Sequence, residues 1–291
     1  MGFQSIHAVT WSVPDLAASV SAFREWLGFL PVSEGVLGDD AAAHLGAPGD
    51  SGAAMAVLRP ANQAPAYVRL VEAPSVPGYA PLMTFGWNAV EFLVEDVHGL
   101  AERLAASPFE IIGPPRDLLD NDAVIAMQVK GPGEELLYLT EMRHQGLRKT
   151  FGAATCTVDR FFIAILGVSD QARTVDFYRP FAQRINIRRQ FRITSIARAH
   201  GLDPDTARFD IASAVMSGPY RIETDAYPDT AVTRPVREGH LPPGLAVVSV
   251  LADADSPGVN WRGGSSWPGS ATRSCLLNGP DSERLELLAA P

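Results

Sequence analysis

The stretch Ile6-His7-Ala8-Val9-Thr10-Trp11-Ser12-Val13-Pro14-Asp15-Leu16 decides the fold. Up to Val13 it alternates apolar with small or polar residues, the pattern of a half-buried strand. Val9, Trp11 and Val13 share one face; Ala8, Thr10 and Ser12 share the other. On this alternation His7 falls on the face away from Ala8, and only a bulge would turn it to the other side. Pro14-Asp15 reads as a strand-to-helix turn with Asp15 as the helix cap. Leu16, Val20, Phe23 and Leu27 follow at helical spacing.

The same grammar returns three times. Asn88 to Val94 is strand-like, Glu95-Asp96 a turn, and Val97 to Leu104 a helix. Phe161 to Val168, Ser169-Asp170 and Ala172 to Phe181 repeat it, and Leu245 to Val250 begins a fourth copy that runs into the looser Ala252-Asp253-Ala254-Asp255. The last strand valines, Val13, Val94, Val168 and Val250, stand 81, 74 and 82 residues apart. Such near-equal spacing marks an internal repeat. Each unit also closes alike, at Tyr67 to Pro74, Glu135 to Glu141, Arg221 to Pro228 and Arg284 to Pro291. Aligning these closing strands places Arg69, Tyr138, Glu223 and Glu286 at one position. Ala53 to Leu58, Ala123 to Val129 and Phe209 to Met216 supply further strands, separated by Gly and Pro turns. In the third unit, Ile185 to His200 reads as a helix ending at Gly201, with Phe191, Ile193, Ile196 and Ala197 at helical spacing.

Composition narrows the function classes. The 291 residues are 46% hydrophobic and 20% charged, as in soluble globular proteins, and the net charge is −9. An acidic chain argues against a broad nucleic-acid surface, which needs clustered Lys and Arg. The densest basic stretch, Arg184 to Arg198, is interleaved with Ile and Phe and reads as one solvated face. Cys156 and Cys275 have no partners at metal-ligand or disulfide-framework spacing. Met1-Gly2-Phe3-Gln4-Ser5 lacks the basic start of a signal peptide, and the longest apolar run, around Leu245 to Ala252, is too short to cross a bilayer. The expectation is a cytoplasmic monomer or homodimer that takes a small molecule, with no nucleic-acid or membrane partner.

Tandem β–α–β–β–β units whose first strand ends Val-x-Asp-Leu and whose last runs Gly-Pro-x-x-x-x-Leu-Glu-Leu resemble the vicinal oxygen chelate superfamily. That group includes glyoxalase I, the bleomycin- and fosfomycin-resistance proteins and the extradiol dioxygenases. The resemblance implies an α+β fold of four βαβββ modules, paired into two glyoxalase-like domains with cup-shaped mixed sheets. Taken in chain order, the N-terminal domain spans 1–142, with modules at about 1–78 and 84–142. A linker covers 143–157, and the C-terminal domain spans 158–291, with modules at about 158–230 and 240–291.

The resemblance also implies a divalent metal, held by His or Gln on the first strand and Glu on the last strand of paired units. The metal would polarise two neighbouring substrate oxygens. The first-strand ligand position, five residues before each marker valine, falls on Ala8, Ala89, Ile163 and Leu245, none of which can bind a metal. No tightly bound cofactor is therefore expected. The alternative is a Mg, Mn, Fe or Zn ion on Glu223 and Glu286, with His7 as a further candidate ligand.

In the chain-order pairing, Glu223 and Glu286 share the second cup, as an acid–base pair or as a relic position held by an internal Arg or water. Arg69 points into the first cup, either to hold a substrate carboxylate or phosphate, or to pair with Glu91. Tyr138 is a general acid or a wall aromatic. Thr10, Trp261 and Trp267 are candidate substrate contacts, the two Trp residues flanking a Gly-rich loop. His44, His98, His144 and His240 fall in loops or on helix surfaces. These residues suit an isomerase, lyase or ring-opening enzyme acting on a small oxygen-rich, aromatic or hydroxy-carbonyl metabolite. The alternatives are a sequestration protein of the bleomycin-resistance type and a metal-dependent extradiol-type dioxygenase.

Overall fold

The computed structural model describes residues 2–119, 121–256, 258–263 and 273–290. Module 1 comprises β1 (Phe3–Val13), α1 (Leu16–Leu27), β2 (Leu30–Val36), an inserted α2 (Asp39–His44), β3 (Ala54–Arg59) and β4 (Tyr67–Glu72). Module 2 comprises β5 (Gly86–Val94), α3 (Val97–Leu104), β6 (Glu110–Asp117), β7 (Val124–Lys130) and β8 (Leu136–Met142). Helix α4 (Gln145–Phe151) occupies the expected linker. Module 3 comprises β9 (Val158–Val168), α5 (Gln171–Tyr178), β10 (Arg184–Phe191), an inserted α6 (Thr194–Ala199), β11 (Phe209–Val215) and β12 (Arg221–Ala226). Module 4 comprises β13 (Gly244–Ala252), β14 (Arg262–Gly263), β15 (Arg273–Asn278) and β16 (Arg284–Ala289).

The repeated aspartates start the helices for a local reason. Asp15 accepts from the Ala18 N–H at 2.9 Å, Asp96 from His98 and Gly99 at 3.1 and 3.0 Å, and Asp170 from Arg173 at 3.0 Å. Each satisfies donors that an α-helix leaves orphaned at its first turn. In module 4 the equivalent Asp253 is used differently. It accepts from the Gly2 N–H at 2.8 Å and from Gln4 Nε2 at 2.6 Å, tying the start of the chain to the end of β13.

The helix expected over Ile185 to His200 is instead β10 followed by the short α6. β10 is an edge strand with a largely exposed burial pattern. Both of its faces reach water along much of its length, so its polar alternation lacks the one-sided apolar signature of a half-buried strand.

Two eight-stranded sheets form, and the modules do not pair in chain order. One sheet runs β14-β15-β16-β13-β1-β4-β3-β2, joining module 1 to module 4. The other runs β10-β11-β12-β9-β5-β8-β7-β6, joining module 2 to module 3. The first strands meet antiparallel, β1 with β13 and β5 with β9, and each lies parallel to the last strand of its own module. Every module presents the same free first-strand edge, so the repeat does not dictate which edges join.

The faces carrying Trp11, Val13, Val94, Phe92, Phe161 and Val250 bury into one shared core with α1 and α3. Phe29 of module 1 meets Phe92 of module 2 edge-on at 5.9 Å, and Phe92 meets Phe161 at 5.7 Å. The opposite faces form the two cups. The segments leaving modules 1 and 3 run side by side, bridged at Thr84 and Val232. Half-buried Arg234 pins them, donating to the Leu245 carbonyl at 2.8 Å with its guanidinium 5.4 Å from the Tyr79 ring centroid. Among the described residues, no helix is long and apolar enough to cross a membrane.

Candidate active site

The cup between modules 2 and 3 gathers most of the chemistry. Strand pairing sets Arg221, Ile163, Glu91 and Tyr138 in one row across β12, β9, β5 and β8. Glu223 and Ile165 stand in the next row, and Asp225 one row beyond. Alternation on β12 puts Glu223 and Asp225 on the same face, two residues apart. Glu91, Tyr138, Glu223 and Asp225 all line one cavity of about 430 Å³. Gln128 and Ala126 of β7 form part of its wall, and residues of α6 cover it.

The carboxyls in this cavity hold protons unusually well. Burial pushes Glu91 up to about 8, reinforced by the nearby Glu223 charge and opposed by a hydrogen bond from Thr140 Oγ1 at 2.5 Å. Burial also pushes Glu223 up to about 7, against the pull of Arg188, Ser213 and Arg221. Asp225 lies well above the ordinary carboxylate range, through burial and then the charges of Glu223 and Glu91. Its Oδ1 is buried and, among the described residues, has no hydrogen-bond partner. A buried polar atom that borders a cavity without a partner is costly unless a ligand, water or its own proton satisfies it. Tyr138 is likewise raised, first by burial, and its hydroxyl meets Ser195 Oγ of α6 at 3.2 Å.

The cup between modules 1 and 4 is built from equivalent positions, and its polar groups pair mainly with one another. Arg69 Nε donates to Thr10 Oγ1 at 3.0 Å, and Ser249 Oγ donates to Glu286 Oε2 at 2.5 Å. His44, at the end of α2, places Nε2 3.1 Å from Glu286 Oε1. Thr10, Arg69, Ser249 and Glu286 are all at most 1% exposed. Burial lowers Arg69 to about 10, while the Glu286 charge supports its cationic form. Leu37, Ala42, Leu45 and Ala47 from the α2 region pack with Val71, Ala246 and Val247 over this face.

These placements correct the expected partnerships. Glu223 and Glu286 do not share a cup; they lie in different sheets. Arg69 faces Glu286 rather than Glu91, and Tyr138 shares its cavity with Glu91 rather than with Arg69. The cause is the crossed pairing of modules, which is invisible in a one-dimensional repeat.

A bulge between Ile6 and Ala8 interrupts the pairing of β1 with β13. His7 therefore leaves the face that alternation assigns it. Its ring centroid lies 5.1 Å from that of Tyr67, which packs with Ala8 on the cup side, and it senses the Glu286 charge. Another irregularity, between Thr10 and Trp11, turns Leu245 into the shared core. The position counted back from Val250 thus points away from the cup.

Thr10 lies in the closed cup, in contact with Arg69. Trp261 packs against the shared core, with the Arg273 guanidinium 5.9 Å from its ring centroid. Trp267 lies outside the described residues. Asp225, Ser195, Ser249 and His44 escaped the sequence reading. Asp225 stands two residues after Glu223 on an alternating strand, which was the available signal. His44 and Ser195 come from insertions, where the repeat offers no guide.

Among the described residues, no three His, Cys, Asp or Glu side chains are placed to hold an ion together. In the 1–4 cup the Arg69 guanidinium supplies the positive charge opposite Glu286.

Residues 5–138 match the Glyoxalase/Bleomycin resistance protein/Dioxygenase superfamily. Glyoxalase I from Zea mays is similar in fold over 98% of this chain and 92% of its own, at 17% identity and a TM-score of 0.61. A provisionally assigned dioxygenase of Bacillus subtilis is similar over 100% of this chain and 86% of its own, at 13% identity and a TM-score of 0.61. At these identities the likeness is one of fold. No curated protein matches in sequence.

Proposed function

We propose a function for a chain that belongs to the Glyoxalase/Bleomycin resistance protein/Dioxygenase superfamily: proton-transfer catalysis, of isomerase or lyase type, on a small oxygen-rich metabolite in the 2–3 cup. The observation that carries this reading is the convergence of Glu91, Glu223 and Asp225 on one cavity, with Glu91 and Glu223 held near 8 and 7. A carboxyl with a pKa near the working pH serves well as a general acid or base.

Glu223 is the better base, because its proton is the more easily lost of the two. Ionised, it would take a proton from a carbon or hydroxyl beside a carbonyl. Glu91, still protonated, would return one to the neighbouring oxygen. The Thr140 hydroxyl engages Glu91 Oε1, which leaves Oε2 to carry that proton. The buried Oδ1 of Asp225 offers an acceptor for a substrate hydroxyl, and Tyr138 is a further donor near the reacting oxygens. Proton transfer between the substrate and these carboxyls accounts for these steps.

The test is hydrogen–deuterium exchange. The protein is incubated in deuterated buffer with a panel of small 2-hydroxy and 2-oxo acids, and loss of substrate C–H signals is followed by NMR. Catalysed exchange by the wild type, abolished in Glu223→Gln, supports the reading. Exchange equal in wild type and Glu223→Gln removes Glu223 from the chemistry. Ligand binding without exchange favours sequestration. Elemental analysis of protein purified without chelator runs beside it, and a stoichiometric Mn, Fe or Zn content sinks the metal-free scheme.

A further inference from the structure

We infer that the substrate of the 2–3 cup carries an oxyanion, a carboxylate or phosphate group, held at the cavity mouth by Arg116, Arg192 and Arg198. The inference rests on the acid–base reading of this cup for its orientation, since it places the reacting end of the substrate over the carboxyls. Three arginines from two separate segments line the same cavity as Glu91, Glu223 and Asp225. Arg116 lies on β6 of module 2, Arg192 just after β10, and Arg198 on the inserted α6 of module 3. The basic stretch around α6, which reads in sequence as a solvated face, thus supplies two of the three cations bordering the cavity.

Charge on the module 3 side of the mouth, at Arg192 and Arg198, is only lightly balanced. Arg192 has Asp205 at 3.9 Å, and that carboxylate is 85% exposed. Exposed pairs of this kind are weak. Arg198 is exposed and donates to the Ile112 carbonyl at 3.4 Å. At neutral pH the raised proton affinity of Glu91, Glu223 and Asp225 keeps much of the floor uncharged. The module 3 side of the mouth is then positive, although the chain carries a net charge of −9. A positive, partly enclosed cleft in an acidic protein concentrates anions, and a guanidinium fork matches carboxylate and phosphate geometry. A neutral substrate would make no use of the charge on Arg192 and Arg198.

The segment that carries two of them is specific to module 3. Among the described residues, a helix inserted between the second and third strands is seen in modules 1 and 3. In module 1 it packs over the 1–4 cup and brings His44 to Glu286. In module 3 the helix anchors through Ser195 to Tyr138 and leaves Arg198 at the opening. The same topological position therefore closes one cup and furnishes an anion-binding rim to the other.

Isothermal calorimetry with malonate, inorganic phosphate and the neutral malonamide tests this on the full chain. Malonate or phosphate should bind while malonamide does not, and whichever anion binds more tightly names the group. Arg192→Gln combined with Arg198→Gln should weaken the better anion at least about tenfold, the loss of roughly one good charged contact. Glu223→Gln should bind it at least as tightly as wild type, because a nearby negative charge is removed. Equal binding of malonamide, unchanged affinity in the double arginine variant, or no anion binding at about 10 mM would overturn the proposal. If anions bind as expected but no deuterium exchange is catalysed, the acid–base reading falls and the anion site stands. Circular dichroism of the arginine variants checks that they fold.

Discussion

Glu91 on β5 and Glu223 on β12 face the same cavity with β9 between their strands, and the charge of Glu223 raises the proton affinity of Glu91. Their joint environment includes Arg221 and Asp225 on β12, Arg188 on β10, Ser213 on β11, and Tyr138 and Thr140 on β8. Glu223→Gln removes one negative neighbour and should bring Glu91 down from about 8. Carboxyl-labelled glutamate followed by carbon NMR reads this directly. A Glu91 titration that does not move would mean that burial alone sets it.

Stability should fall as pH rises toward alkaline values. Glu91, Glu223 and Asp225 bind protons more tightly folded than unfolded. The stabilisation this gives is fully present below the unfolded carboxyl value near 4.5 and is lost as pH rises through the folded values of about 7 and 8. Glu283, raised by burial to about 7 in its turn near Tyr178, adds to the same slope. Urea denaturation between pH 5 and 9 would show it. Glu91→Gln should flatten the curve, and a wild-type profile that rises over this range would contradict the assignment.

Arg69→Met should destabilise the fold strongly, by roughly 3–5 kcal/mol, because it removes the buried guanidinium whose charge faces Glu286 and leaves that carboxylate with the His44 imidazole. Arg69→Met with Glu286→Leu should recover most of that loss, since both charges then go together. Thermal denaturation of the two single variants and the double variant forms the cycle. Additive losses would show that the two residues do not act as a pair.

Asp96→Ala should cost about 1 kcal/mol, the usual value for an N-cap. Asp96 accepts from two backbone donors, at His98 and Gly99. Asp253→Ala should act instead on the start of the chain, because its carboxylate holds Gly2 and Gln4 rather than a helix. Amide hydrogen exchange distinguishes the two: protection falls in α3 for the first variant and near Gly2 and Gln4 for the second.

The four modules were legible in the sequence because what builds a module is local. Alternation around Val13, the aspartate caps and the closing strand at Glu286 each depend on residues a few positions apart. β10 escaped that reading because its exposed edge position removes the one-sided burial on which the pattern depends. Which cup each functional residue enters was settled by the tertiary structure. Four equivalent strand edges can pair in more than one way, and only packing of the shared core around Phe92 and Phe161 joins module 1 to module 4 and module 2 to module 3. That choice separates Glu223 from Glu286, sets Arg69 against Glu286, and brings Glu91, Tyr138, Glu223 and Asp225 to one cavity. The bulge that turns His7 toward Glu286 belongs to the same level, because it exists only where β1 meets β13.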